Sequence, residues 1–314
     1  MKNIAITGMS GYIGTRLVSR LDTIDSIQKI IGIDIREPTL RPPKLRFYLQ
    51  DVLKPFGDLL IENEVDTAIH LAFVLKPTRE RTSAQKIDVE GTINFVQACR
   101  QAKVGHVLYL SSHTVYGAHH DNPVPLTEDS PLRPLPGFQY SWDKAQAEQI
   151  IRDFGQSQRD VTITILRCCP VIGPHAAGSV PVLMFKPPVM IGVTGFDPRM
   201  QFVHEDDLIQ AIETFLNEKK GGIFNVAGER DLKYSEVATL AGKRLLRLPG
   251  GLIKPLMRVS WALHLQNDSP YAGLEFIKYP PVVSTGKLLK ETGFRFHYST
   301  EEALSSFVST LGNR

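Results

Sequence analysis

The stretch Thr7-Gly8-Met9-Ser10-Gly11-Tyr12-Ile13-Gly14 decides the fold. It follows an apolar run of strand length, residues 3–7, and opens a helical pattern over residues 12–21. In that setting Gly8 makes the tight turn, Gly11 lets backbone approach a pyrophosphate, and Gly14 allows the helix to lie close to the sheet. Free N–H groups and the dipole at a helix N-terminus attract the anion. Gly8, Gly11, Tyr12, Ile13 and Gly14 are therefore candidate contacts of a dinucleotide. Asp34 stands 20 residues beyond Gly14, at the end of a second strand-like run. A carboxylate there accepts hydrogen bonds from the adenosine ribose hydroxyls. Its charge would repel a 2′-phosphate, which favours NAD; Arg36, two residues on, keeps NADP open.

Outward from this turn, short apolar runs alternate with longer helical patterns, as in a parallel sheet with crossover helices. The predicted strands are residues 3–7, 29–34, 45–49, 67–71, 106–111 and 162–167, blocky rather than alternating, as strands buried on both faces are. Predicted helices occupy 12–21, 56–63, 82–101 and 140–154. The Pro-rich segments 36–44 and 121–136 cannot be helix interiors and read as loops at the ligand-binding ends of strands. The regular alternation stops after Arg167. A helix near 206–217 and a strand at 222–226 follow a Gly- and Pro-containing stretch. The expected architecture is an α/β Rossmann fold, a doubly wound parallel sheet with a smaller C-terminal substrate-binding region. Residues 1–167 form the dinucleotide-binding domain. Residues 168–314 are mainly substrate-binding, with the strand near 222–226 returning to the main sheet.

Composition narrows the function classes. The 314 residues are 42% hydrophobic and 22% charged, with a formal net charge of +3; such a chain builds a core without disulfide or metal staples. Lys and Arg are scattered rather than clustered, which argues against nucleic acid. Cys99, Cys168 and Cys169 show no Cys-x-x-Cys spacing, against a disulfide framework or a zinc site. His204 with Asp206 and Asp207 reads as a capped helix start with acidic first-turn residues, not as a metal site. No apolar segment approaches the ~20 residues that cross a bilayer, and no secretory signal precedes the glycine turn. These features imply a cytoplasmic protein that takes a small-molecule substrate and no membrane partner. The apolar stretch 251–265, interrupted by Lys254, Pro255 and Arg258, reads as a helix lining a pocket or a subunit contact.

At this point the chain resembles the extended short-chain dehydrogenase/reductase family, the NAD-dependent epimerases and dehydratases. The Thr7–Gly14 turn is similar to its TGxxGxxG motif. Asp51-Val52 is similar to the pair that contacts adenine, and His70-Leu71-Ala72 to the strand end that passes the cofactor. Asn94 in Gly91-Thr92-Ile93-Asn94, the segment Ser111-Ser112-His113-Thr114-Val115-Tyr116-Gly117, and Tyr140-Ser141-Trp142-Asp143-Lys144 follow in the family's order. Residues 167–174 and 202–207 resemble its substrate-side motifs. The resemblance implies catalytic Ser112, Tyr140 and Lys144, and cofactor contacts from Asp51, Val52, Leu71 and Ala72. It also implies a homodimer built on helices 82–101 and 140–154.

The chemistry of the Tyr–Lys pair can also be argued from the residues. Positions i and i+4 share a helix face, so Tyr140 and Lys144 reach one site. A phenol with a pKa near ~10 is a poor base; an ammonium beside it, together with the positive nicotinamide, is expected to favour phenolate. Lys144 can also hold the nicotinamide ribose. Ser112 would stabilise alkoxide character on the substrate oxygen.

Two departures bear on the reaction. Dehydratases of the family carry acidic residues just after the catalytic Ser or Thr, where this chain has His113 and Thr114. The Ser-x-Thr-Val-Tyr-Gly spelling instead resembles the nucleotide-sugar 4-epimerases. Those enzymes usually carry Asn three residues after the strand-six Arg, where this chain has Pro170, and Arg199-Met200-Gln201 replaces a common Arg-Asp. The leading expectation is an epimerase or dehydrogenase moving a hydride at a secondary alcohol of a sugar-like substrate. A ketone reductase or hydroxy-compound dehydrogenase similar to the hydroxysteroid and dihydroflavonol branches is the alternative. A non-catalytic dinucleotide sensor would have no need of Ser112, Tyr140 and Lys144.

Overall fold

The computed structural model describes residues 2–75, 80–176, 184–185, 187–264 and 272–311. Its strands are β1 (Lys2–Thr7), β2 (Ile27–Asp34), β3 (Leu45–Leu49), β4 (Thr67–His70), β5 (His106–Ser112), β6 (Thr162–Cys168), β7 (Val171–Ile172), β8 (Val189–Val193), β9 (Arg199–Met200), β10 (Val203–His204), β11 (Gly222–Val226), β12 (Leu232–Lys233) and β13 (Arg244–Leu248). The helices are α1 (Tyr12–Asp22), α2 (Gly57–Glu62), α3 (Arg81–Gln85), α4 (Gly91–Gln101), α5 (Gln139–Ser157), α6 (Glu205–Glu218), α7 (Tyr234–Leu240), α8 (Gly250–Ala262), α9 (Ala272–Lys278), α10 (Gly286–Thr292) and α11 (Thr300–Ser309).

Seven strands form one sheet in the order β11-β6-β5-β4-β1-β2-β3, and every neighbouring pair is parallel. This is a Rossmann-type doubly wound sheet. Alternation along the strands explains why both faces are covered. Ile4 and Ile6 of β1 enter a core with Leu17, Val18 and Leu21 of α1 and Ile212 and Phe215 of α6. Ala5 faces the other way, into a core with Phe95 of α4 and Ile151 and Phe154 of α5. Each fully buried Ile, Leu or Phe contributes about 1.5–3 kcal/mol.

The chain leaves β1 toward β2 and β3, then returns to β4 on the other side of β1. Open α/β sheets bind ligands at such a switch, outside the carboxyl ends of the strands. Register brings those ends level: Thr7 pairs with Ile33 and His70, His70 with Tyr109, and Ser112 with Cys168.

Two expectations are corrected. The run read as one helix over 82–101 is α3 and α4 joined by a π-helical turn, Lys86–Glu90. There the Thr92 hydroxyl donates to the Asp88 carbonyl at 2.6 Å, and the wider turn buries Asp88. The irregular stretch after Arg167 holds short strands, and β8 pairs with β13 in a separate small sheet. Helix α8 buries only Ile253 among its residues and turns Leu252, Leu256 and Val259 outward. Among the described residues no helix is long and apolar enough to cross a membrane.

Candidate active site

The glycine turn is shaped by contact as well as conformation. Gly8 has φ +71°, and a Cβ there would lie 2.6 Å from the Ala72 backbone nitrogen, just past β4. A Cβ on Gly14 would lie 2.6 Å from the Gly8 carbonyl and the Met9 backbone, so the helix start packs on the turn itself. A Cβ on Gly11 would meet only the Gly8 carbonyl, at 3.1 Å, which leaves its outer side clear for a ligand. Gly11 is the N-cap of α1, with no side-chain cap bond and no acid in the first turn. The amides of Tyr12, Ile13 and Gly14 thus open a helix whose N-terminus suits an anion. Their side chains do other work. Ile13 packs on the core, and the Tyr12 hydroxyl donates to Glu205 of α6; burial, then Glu205, pushes that phenol well above its ordinary value.

Asp34 ends β2 and is buried. Its carboxylate accepts from the Ser10 amide at 2.9 Å and the Arg36 amide at 3.0 Å, which fixes it against the turn. The Arg36 guanidinium is exposed, with Nε 3.7 Å from the carboxylate. Asp51 accepts from the Leu53 amide at 2.9 Å, and the Val52 carbonyl accepts from Asn94 Nδ2 at 2.9 Å. The Leu71 amide donates to the Thr7 carbonyl at 3.1 Å. Uncapped amides, a clear face at Gly11 and a fixed carboxylate at Asp34 fit a dinucleotide.

Ser112 closes β5. Its Oγ accepts from the Thr114 amide at 3.2 Å and the Thr114 hydroxyl at 3.0 Å, leaving its own proton free to donate. Tyr140, on the first turn of α5, is its partner, and this bond lowers the phenol pKa. Burial acts more strongly and pushes the phenol above its ordinary value. The Lys144 ammonium donates to the Leu110 carbonyl at 2.7 Å. It lies 3.7 Å from the Phe73 ring centroid and 4.8 Å from that of Tyr109. Burial pushes Lys144 down, with Asp88 opposing. Burial thus acts on both groups against their charged forms.

Sequence reasoning missed the polar frame that holds α5. Arg167 Nη2 lies 2.6 Å from Glu148 Oε1, both side chains almost wholly buried. The Ser111 hydroxyl donates to Glu148 Oε2 at 2.8 Å. Arg167 Nη1 donates to the Tyr116 hydroxyl at 2.8 Å, which donates to Asn225 Oδ1 at 2.8 Å. Glu148 lies four residues past Lys144, on the same helix face; an acid at that spacing, with an Arg ending an apolar strand, was the available signal. Asp88 was missed too: its carboxylate accepts from the Val74 amide at 2.7 Å, and burial pushes it up.

The other candidates have structural duties. His204 is the N-cap of α6, accepting from the Asp206 amide at 3.2 Å. His70 stacks on Phe95 at 4.4 Å and shares hydrogen bonds with Thr7 and Thr92. Cys168 and Cys169 are free and buried. Among the described residues no cluster of His, Cys, Asp or Glu is placed to hold a metal ion.

A parallel sheet with a phosphate-type turn at its switch point and a Ser–Tyr–Lys group across the crevice defines a dinucleotide-binding protein of the oxidoreductase type. Residues 4–227 match the NAD dependent epimerase/dehydratase family, and the chain belongs to that family. An uncharacterized protein of Mycobacterium tuberculosis is 29% identical over 321 residues, covering 99% of this chain and 84% of its own. The UDP-glucose 4-epimerase of Haemophilus influenzae is 28% identical over 190 residues, 56% of this chain and 55% of the enzyme. Among solved structures, the Thermotoga maritima UDP-glucose 4-epimerase with UDP-glucose superposes with a TM-score of 0.77 at 19% identity, covering 99% of each chain. A Streptomyces venezuelae dTDP-glucose 4,6-dehydratase with NAD bound gives 0.76 at 21% identity, covering 99% of this chain and 97% of that one.

Proposed function

We propose that this chain is an NAD-dependent epimerase that oxidises a secondary alcohol of a nucleotide sugar and reduces the ketone again from the opposite face. The observation that carries the reading is the Ser112–Tyr140–Lys144 group at the mouth of the crevice, followed by His113 and Thr114 where an elimination enzyme needs an acid. The similarity to UDP-glucose 4-epimerases supports the substrate class.

NAD supplies the acceptor for the hydride lost from the carbinol carbon. The amides of residues 12–14 would hold its diphosphate, Asp34 its adenosine ribose, and Asp51, Val52, Leu71 and Ala72 the adenine and the passage between. Tyr140, as phenolate, takes the alcohol proton and returns it in the second half of the cycle. Ser112, with its two acceptor bonds taken by Thr114, donates to the reacting oxygen and stabilises charge there. Lys144, anchored on Leu110, would hold the nicotinamide ribose.

The experiment is turnover of UDP-glucose by the purified protein and by Tyr140→Phe. The expected result is formation of the 4-epimer without net accumulation of reduced cofactor. In the variant, turnover falls about 100-fold or more, as for loss of a general acid–base group, at unchanged NAD affinity. Near-native turnover in the variant would remove Tyr140 from the role. Pro170, in place of the usual Asn, favours a second reading, a net ketone reductase; steady reduced-cofactor consumption with a ketone would select it. The assembly we propose is a homodimer on α4 and α5, where Ile93 and Trp142 stand exposed, and light scattering showing a monomer would oppose it.

A further inference from the structure

Lys144 is almost wholly buried. Among the described residues its ammonium makes a hydrogen bond to the Leu110 carbonyl at 2.7 Å and no ion pair with a carboxylate. What stands against it instead is aromatic. The Phe73 ring centroid lies 3.7 Å from Nζ and that of Tyr109 lies 4.8 Å away. A cation over a ring is attracted by the negative face of the π system, and more strongly where water is excluded. Phe73 follows the end of β4 by three residues and is held from two sides. It packs on the core that contains Phe95 and Ile151, and the next amide, that of Val74, donates to the Asp88 carboxylate at 2.7 Å. Asp88 is the acid that the π turn buries, so that turn pins the segment carrying Phe73. The same ring meets the Tyr140 ring at 88° with centroids 5.7 Å apart, an edge-to-face arrangement that aromatic pairs prefer. One side chain thus touches both members of the Tyr–Lys pair.

We propose that Phe73 is a positioning residue: its π face seats the Lys144 ammonium beside Tyr140, and the same ring fixes the plane of the phenol. The inference rests on the reading that Tyr140 and Lys144 serve the hydride transfer, and deepens it by naming what holds them. A leucine at 73 would fill similar space and offer no negative face. Burial pushes Lys144 down, and the ring opposes it, because the attraction exists only for the charged amine. The other groups that face the amine are Asp88 of the π turn, Cys168 of β6, His70 of β4 and Glu148 of α5, with the Tyr109 ring and Tyr140. A change confined to the electrons of the Phe73 ring leaves all of them as they are.

The test therefore replaces Phe73 with phenylalanines carrying one, two or three ring fluorines, which keep the shape of the ring while draining its face, and adds Phe73→Leu. In the NAD-saturated protein the titration midpoint of Lys144, followed through its Nζ resonance, should step down with each fluorine. In Phe73→Leu it should fall by about one pH unit, a tenfold change and the scale of a desolvated cation–π contact. With UDP-glucose, kcat should fall in the same order and reach about a tenfold loss in Phe73→Leu, with KM unchanged within about twofold. A side chain that only fills space would leave the fluorine series flat in both readouts. A Lys144 midpoint indifferent to fluorine, native kcat in Phe73→Leu, or tighter NAD binding by Phe73→Leu, which would mean that the ring occupies the place of the ribose, would each overturn the proposal. If UDP-glucose is not turned over at all, the epimerase reading fails by itself, and the Lys144 titration still decides for or against Phe73.

Discussion

The buried pair beneath the active site gives the sharpest quantitative expectation. Replacing Glu148 with Gln keeps shape and some hydrogen bonding but leaves the Arg167 guanidinium without a countercharge. Burial is the largest single influence and lowers the Arg167 pKa, but Glu148 and Tyr116 together raise it above its ordinary value and keep the guanidinium protonated. At the 2.6 Å separation of the pair, an effective dielectric of about 20 gives an attraction of about 6 kcal/mol. Desolvation offsets part of this, and breaking a buried pair costs about 3–5 kcal/mol. With an unfolding entropy of about 2.1 cal/mol/K per residue over 314 residues, Tm falls by about 5–8 °C. Urea and thermal unfolding followed by circular dichroism measure both quantities. The double variant Glu148→Gln/Arg167→Met removes the stranded charge and should recover most of the loss. The reasoning fails if the single variant loses less than about 1 kcal/mol, the range of exposed pairs, or if the double variant is no better than the single.

Gly14→Ala places a Cβ 2.6 Å from backbone atoms of Gly8 and Met9 that cannot swing aside. NAD affinity should fall about tenfold or more, by at least about 1.4 kcal/mol, and unchanged affinity by fluorescence titration would contradict the packing argument. Asp34→Asn removes the charge and one of two acceptor bonds; the NAD-over-NADP preference should shrink about tenfold, and a preference unchanged in paired titrations would refute the assignment. Burial holds His70 down to about 3 and His106 and His113 down to about 4. Their folded values lie below the unfolded value, so each imidazole removes stability as pH falls below about 6.5, by about 1.4 kcal/mol per pH unit until its folded value is reached. Asp88, pushed up by burial, acts in the opposite sense, so the imidazole resonances are the clean readout; a midpoint above pH 6 for any of the three would contradict their burial.

What was legible in the chain was local. The glycine turn, Asp34 and the Tyr140–Lys144 spacing each express their constraint within one turn or one strand, so residue identity and interval carry it. The frame around Glu148 is assembled from β5, α5, β6 and β11, and no interval along the chain encodes such a meeting. The π turn at Lys86–Glu90 escaped for a related reason: helical periodicity runs through it nearly unbroken, while the bonds that favour it involve Thr92 and the Val74 amide. The spacing of Tyr140 and Lys144 predicts that they share a site but not how far both groups are removed from water.

Glu205 has a consequence for how this protein can be taken apart. Its buried carboxylate receives the Tyr12 hydroxyl from the first helix and both the ring and the amide of His175, just past β7. A Cβ on Gly173 would lie 2.6 Å from that side chain. Glu205 thus keys the phosphate-side helix to the rear half of the chain, beside the Arg16–Asp206 and Arg20–Glu213 pairs. A chimera that borrows its rear half from a relative must therefore import the match to Tyr12 along with it, or the graft will disturb the front half's grip on its cofactor.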